Sequence, residues 1–326
     1  MTQAELFAAP EREHPYGELG EKLWALARRG VYFGTSSWKY ESWKDTVYCD
    51  DYKSKKDFDQ NCLAEYARIF PAVGGDFSFY NWPGEELIAR IGGQTPVGFK
   101  IGLKATEFIT LKRFPQLARW GAQAGRDNPD FLNAGLFKEK FLDRLGPLCG
   151  KLAPIIVEFT AFPRGAFADW TEFAIVLETF FSELGKMCGR EFEFGVELRT
   201  KEYLHDEFYA ALRAMNEFIP VAPIVTSWTR TPPLDEQWQL VVKHDFAFTQ
   251  VRVMMRPGRT RDEAVQIFEP YARIRERVPV VRRALANIVK DSLERARPCY
   301  VFMNNHLEGC AHQTIAEFIE MELRGI

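Results

Sequence analysis

The 326-residue chain has no C-x-x-C pair, no H-E-x-x-H and no other Cys/His cluster at zinc-ligand spacing. Its six cysteines, Cys49, Cys62, Cys149, Cys188, Cys299 and Cys310, stand singly. Scattered thiols in a chain of this size read as reduced cysteines of a cytoplasmic protein, not as a disulfide framework. Neither a disulfide nor a structural metal is expected. Glycine-rich phosphate loops are missing too: there is no G-x-G-x-x-G after the first strand and no G-x-x-x-x-G-K-[ST] anywhere. No cofactor is therefore expected. No apolar run approaches the ~20 residues that cross a bilayer. The opening MTQAELFAAPEREHPYG lacks the basic and apolar regions of a signal peptide. A net charge of −3 argues against a general nucleic-acid binder, though not against a local basic site.

The composition is that of a globular protein with a full core: 46% hydrophobic and 27% charged. At 14% aromatic, some rings are expected to line a surface or pocket as well. Short apolar runs alternate with amphipathic ones. The strand candidates are Val31–Thr35, Val73–Phe79, Val97–Leu103, Pro154–Glu158, Phe192–Leu198, Val221–Thr226, Phe246–Val251 and Cys299–Met303. Helical periods fall between them, among them Phe58–Phe70, Trp170–Leu184, His205–Asn216 and Val280–Arg295. No linker or repeat divides the chain. Eight strands, each followed by helical sequence, predict an α/β fold of (β/α)8 TIM-barrel type over residues 31–326. Residues 1–30 form an N-terminal extension ending in a helix from Leu19 to Arg28. An open doubly wound sheet is the rival, without its usual fingerprint.

Barrel active sites lie where the strands end. Here the ends are polar: Ser36 and Trp38 after strand one, Tyr80 after strand two, Lys104 after strand three, Glu158 after strand four. Strand six ends at Thr226, strand seven at Arg252, strand eight at Asn304, Asn305 and His306. In strand five, FEFGVELR, the apolar set Phe192, Phe194, Val196 and Leu198 alternates with Glu193, Gly195, Glu197 and Arg199. Period two sends the second set into the lumen, with Glu197 and Arg199 uppermost. They read either as a base beside an anion clamp or as a structural ion pair. Lys104 reads as a Schiff-base amine, an acid, an anion anchor or a solvated loop lysine. Glu158 reads as a partner for a barrel lysine or arginine. His306 is a pocket acid or base, or a rim histidine bonded to backbone. A metal set of His306, Glu308 and His312 gains no support from motif spacing.

From Arg252 to Arg297 there are eleven arginines and one lysine against six acids. Arg252, Arg256, Arg259 and Arg261 cluster just after strand seven, where TIM barrels often bind phosphate. Arg273 to Arg295 reads as a solvated helix face.

GTSSWKYESWKDTVY, DFSFYNWP, TPVGFKIGLKATEFIT, GVELR and YVFMNNHLEGCA, in that order, resemble the YecE-like family (DUF72) over residues 31–325. The resemblance implies a TIM-barrel-like fold; the family's reaction is not established. Its recurrent positions fall on Gly34, Trp43, Tyr48, Phe79, Tyr80, Lys104, Thr110, Glu197, Arg199, Arg252, Asn304, Asn305, Gly309 and Ala311. The chain departs from it at Gly74 and Asp76, Leu111, Ser227 and Met254-Met255.

The leading expectation is a barrel that binds a small polar, anionic ligand bearing phosphate or carboxylate. If it is an enzyme, acid/base or hydrolytic chemistry is expected, with Glu197 as base and Lys104 or His306 as acid or stabiliser. Arg199 and Arg252 would anchor the anion. Asn304 and Asn305, with Tyr80, Trp38 and Ser36, would bind the ligand. The rivals are a non-catalytic ligand-sensing or partner-binding protein and a nucleic-acid processing barrel using Arg252 to Arg261.

Overall fold

A computed structural model describes residues 14–324. Eight strands appear in it: β1 Val31–Thr35, β2 Ala72–Gly75, β3 Lys100–Leu103, β4 Ile155–Phe159, β5 Phe194–Leu198, β6 Val221–Ser227, β7 Thr249–Val253 and β8 Cys299–Met303. The helices are α1 Gly17–Arg28, α2 Lys55–Ile69, α3 Glu85–Gln94, α4 Glu107–Thr110, α5 Ala134–Lys140, α6 Trp170–Cys188, α7 Asp206–Met215, α8 Leu234–Val241, α9 Arg261–Phe268, α10 Pro279–Glu294, α11 Asn305–Glu308 and α12 Ala311–Met321.

All ladders are parallel, in the order β3-β2-β1-β8-β7-β6-β5-β4. The two outer strands, β3 and β4, approach each other through isolated bridges, Ile101 with Leu152 and Lys104 with Ile156. Backbone bonds from Ala153 N–H to Ile101 O (2.9 Å) and from Ala105 N–H to Ile156 O (2.8 Å) hold that seam. The result is a nearly closed (β/α)8 barrel. Strands covered on both faces read as continuous apolar runs, and every residue of β8 is buried.

Two glycines set how tightly the strands pack. A Cβ on Gly34 would lie 2.0 Å from Ala72 O, so β1 and β2 can approach only with glycine there. On Gly195 it would lie 1.8 Å from Gln250 Oε1 of β7, which puts Gly195, and with it Glu197 two residues on, on the luminal face of β5.

Several expected boundaries move. β2 stops at Gly75, where the chain enters a 3-10 turn, Asp76–Ser78, and Ser78 Oγ donates to Lys104 O at 2.7 Å. β3 begins only at Lys100; Val97 is almost fully exposed. β7 runs from Thr249 to Val253, so Arg252 sits inside the strand rather than past its end. Arg282 corrects the expected solvated face of α10: it is buried, and its Nε donates to Glu308 Oε1 at 3.0 Å.

The expected extension divides. Residues 1–13 lie outside the described residues. Leu19, Leu23 and Leu26 of α1 are buried in the main core, and Tyr16 OH pairs with His312 Nδ1 of α12 at 2.8 Å. No helix among the described residues is long and apolar enough to cross a membrane.

Candidate functional site

Adjacent luminal positions on β4 and β5 bring two carboxylates side by side: Glu158 is in register with Glu197. Opposite them β7 supplies Arg252, and the residue after β3 supplies Lys104. Arg252 Nη1 donates to Glu158 Oε2 at 2.6 Å and also to Glu197 Oε2. Arg199 donates through Nε to Glu197 Oε1 (2.8 Å) and through Nη2 to Glu158 Oε2 (2.8 Å). Lys104 Nζ lies 3.0 Å from Glu158 Oε2 and 3.7 Å from the centre of the Phe79 ring. All five charged groups are buried; Arg252 is only 2% exposed. Burial alone would raise the pKa of Glu158, but Arg199, Lys104 and Arg252 outweigh it and hold the carboxyl well below the usual range. The pKa of Arg252 rises although burial opposes it, because Glu197, Glu158 and Asp76 stabilise its charge.

Three buried cations thus face two buried carboxylates. The third carboxylate is Asp76, in the turn after β2, with a side chain 45% exposed. A single oxygen, Oδ1, lies 3.8 Å from Lys104 Nζ and 3.8 Å from Arg252 Nη2. That is too long for a hydrogen bond. The mouth-facing side of the cluster is therefore loosely matched, whereas the inner side is tightly paired.

Above it, the Arg199 guanidinium stacks on Trp228, 3.7 Å from the ring centre. Tyr80 is 53% exposed, with the Arg119 guanidinium 5.2 Å from its ring. Arg119 also pairs with Glu107 at 2.7 Å. His306 Nε2 bonds Tyr271 OH at 3.0 Å. Burial, with the charge of Arg261 added, pushes the His306 ring down to about 4. It is therefore neutral near pH 7, which suits a hydrogen-bonding group better than a proton donor.

Other expected residues are occupied elsewhere. Asn304 Oδ1 caps α11 by accepting from His306 N–H at 2.9 Å, and Asn305 Oδ1 accepts from Ala311 N–H at 2.7 Å, the first residue of α12. The asparagines that follow β8 so abruptly thus start two helices in succession. Ser36 Oγ donates to Met254 Sδ at 3.6 Å, and Trp38 is buried edge-on to Phe77. The four arginines after strand seven do not converge: Arg252 is luminal, while Arg256 and Arg259 both pair with Glu276. His306, Glu308 and His312 do not converge on a metal either. Glu308 holds Arg282, and His312 holds Tyr16.

Lys104, Glu197, Arg199 and Arg252 do come together. Asp76 was not among the expected site residues; its signals were its departure from the family pattern and its place directly after the glycine pair that ends β2. Trp228, which carries the Arg199 guanidinium, was not singled out by strand periodicity either.

The family profile described as "Protein of unknown function DUF72" matches residues 32–324. Among solved structures, a DUF72 family protein of Enterococcus faecalis V583 aligns with a TM-score of 0.58 at 15% identity, covering 91% of this chain and 96% of its own. Another, from Thermotoga maritima MSB8, aligns with a TM-score of 0.55 at 18% identity, covering 89% and 98%. No curated protein matches. The profile spans nearly the whole barrel, and the chain belongs to the DUF72 family.

Proposed function

We propose that the protein binds a small anionic ligand, a carboxylate or phosphate ester, at the C-terminal mouth of the barrel. Lys104 and Arg252 are its anchors. The observation that carries this reading is the 3.8 Å gap from Asp76 Oδ1 to both cations. A ligand oxygen entering between them would make charge-assisted bonds of about 2.7–2.9 Å. It would also compensate the third buried cation better than a half-exposed aspartate does. Glu158 and Glu197 act as positioning residues that orient the guanidinium groups from below. Glu197 is fully buried, and both its oxygens are engaged, which favours binding over base catalysis at this carboxylate. Tyr80, Arg119 and His306, on the segments that follow the strands, would select what the anion is attached to.

A thermal-shift panel of phosphate, sugar phosphates and organic acids tests this on wild type and Lys104→Gln. At about a hundredfold over its dissociation constant, a bound anion stabilises by ~2.7 kcal/mol. Wild type is expected to respond to at least one member and Lys104→Gln to lose that response. A flat wild-type panel, or an undiminished response in Lys104→Gln, contradicts the reading.

A further inference from the structure

Away from the mouth, a cavity of about 900 Å³ runs between α1 and α2, and His14, Asp45, Cys49, Asp50, Glu65 and Arg68 are among its lining. Within this lining a ring nitrogen of His14, the Cys49 sulfur and a carboxylate oxygen of Glu65 all lie within 4.8 Å of one another. We infer that His14, Cys49 and Glu65 form a binding site for a zinc-class divalent cation, clasping the segment before α1 to α2 and the loop after β1.

Three features support it. The donor set of imidazole, thiol and carboxylate is the mixture that zinc and its neighbours accept. Tetrahedral bonds of about 2.0–2.3 Å bring ligand atoms to about 3.3–3.8 Å apart. Contraction of roughly an ångström completes the site, and Cys49 is exposed and able to turn.

The second feature is Glu65. It is buried, with Oε1 accepting from Cys49 N–H and, at 2.9 Å, from Asp50 N–H, while Oε2 accepts from Tyr52 OH at 2.7 Å. All three donors are neutral. None of these contacts brings a cation to this buried carboxylate, the position a bound metal ion would fill. Arg68 lies nearby but pairs with Asp50 at 3.5 Å.

The third is His14. Its Nε2 lies 3.3 Å from Val47 O, and its Nδ1 accepts Tyr16 N–H at 3.0 Å. The tautomer this implies has Nε2–H directed at a carbonyl, the arrangement that orients metal-binding histidines, and a lone pair on Nδ1. Binding would exchange the local Tyr16 contact for a coordinate bond. The Cys49 proton would leave to solvent as the sulfur–metal bond forms. No motif revealed the set, because its three members come from separate segments of the chain.

The test is a Co²⁺ titration of the full, tag-free chain, followed by the thiolate-to-cobalt charge-transfer absorption. Wild type is expected to saturate at one ion per chain, with Zn²⁺ abolishing the band. Cys49→Ala is expected to lose the band, and His14→Ala to bind Co²⁺ more weakly. Cys49 is exposed and His14 only part-buried, and circular dichroism checks the folding of both variants. No band in wild type, a band that survives in Cys49→Ala, or unchanged affinity in His14→Ala would each overturn the assignment.

Discussion

Arg252→Met is expected to destabilise the barrel by about 3 kcal/mol, because it removes a cation shared by two buried carboxylates and leaves their charge to Arg199 and Lys104 alone. Arg252 Nη1 serves both Glu158 and Glu197, and neither carboxylate can reach water. Methionine fills much of the volume, so the loss isolates charge from packing. A double-variant cycle sharpens this. If stranded charge is the cause, adding Glu197→Gln to Arg252→Met recovers part of the loss. Urea midpoints of the four proteins report it. A cost under about 1 kcal/mol, or a cost that Glu197→Gln deepens additively, would mean that Arg252 acts through packing.

The second large effect is acid lability centred on His312. The ring is fully buried at the start of α12, and burial pushes it down to about 3 from an ordinary value of 6.5. The unfolded chain therefore binds this proton more readily than the folded one. Stability is fully present above pH 6.5 and is lost as the pH falls toward about 3. Between pH 6.5 and 5 the loss from this group is about 2 kcal/mol. His306, held near 4 by burial and Arg261, adds to it in the same direction. The window lies above the ordinary glutamate range, so Glu158 contributes little there. Urea denaturation of wild type at pH 7 and pH 5, against His312→Gln, measures the effect. The variant is expected to lose much of the pH dependence; an identical slope would place the sensitive group elsewhere.

The barrel was legible because its strands are apolar on both faces, as in VYFGT and CYVFM, whose boundaries the structure reproduces. Strand two was less so. AVGGDFSF has a strand-like apolar pattern, yet Gly75 ends the ladder and Asp76–Ser78 turn back toward Lys104. Periodicity does not distinguish a buried turn from a buried strand. Strand five fixed the side on which Glu197 and Arg199 lie, since alternation is geometric. What each luminal group touches depends on non-local pairing. The sequence offered Glu158 a basic partner, but not the three that meet it. Asn304 and Asn305 looked like ligand contacts because polar residues after a strand also suit helix caps; only the register of α11 and α12 separates the two uses.

The claim that an anion binds between Lys104 and Arg252 is tested most directly by calorimetric titration of Asp76→Asn. The titrant is whichever anion stabilises wild type. Asp76 now occupies the approach to both cations with like charge to the ligand, and the amide removes that repulsion while keeping the shape. Affinity is expected to rise about tenfold, or about 1.4 kcal/mol. Unchanged or weaker binding in Asp76→Asn would contradict the site.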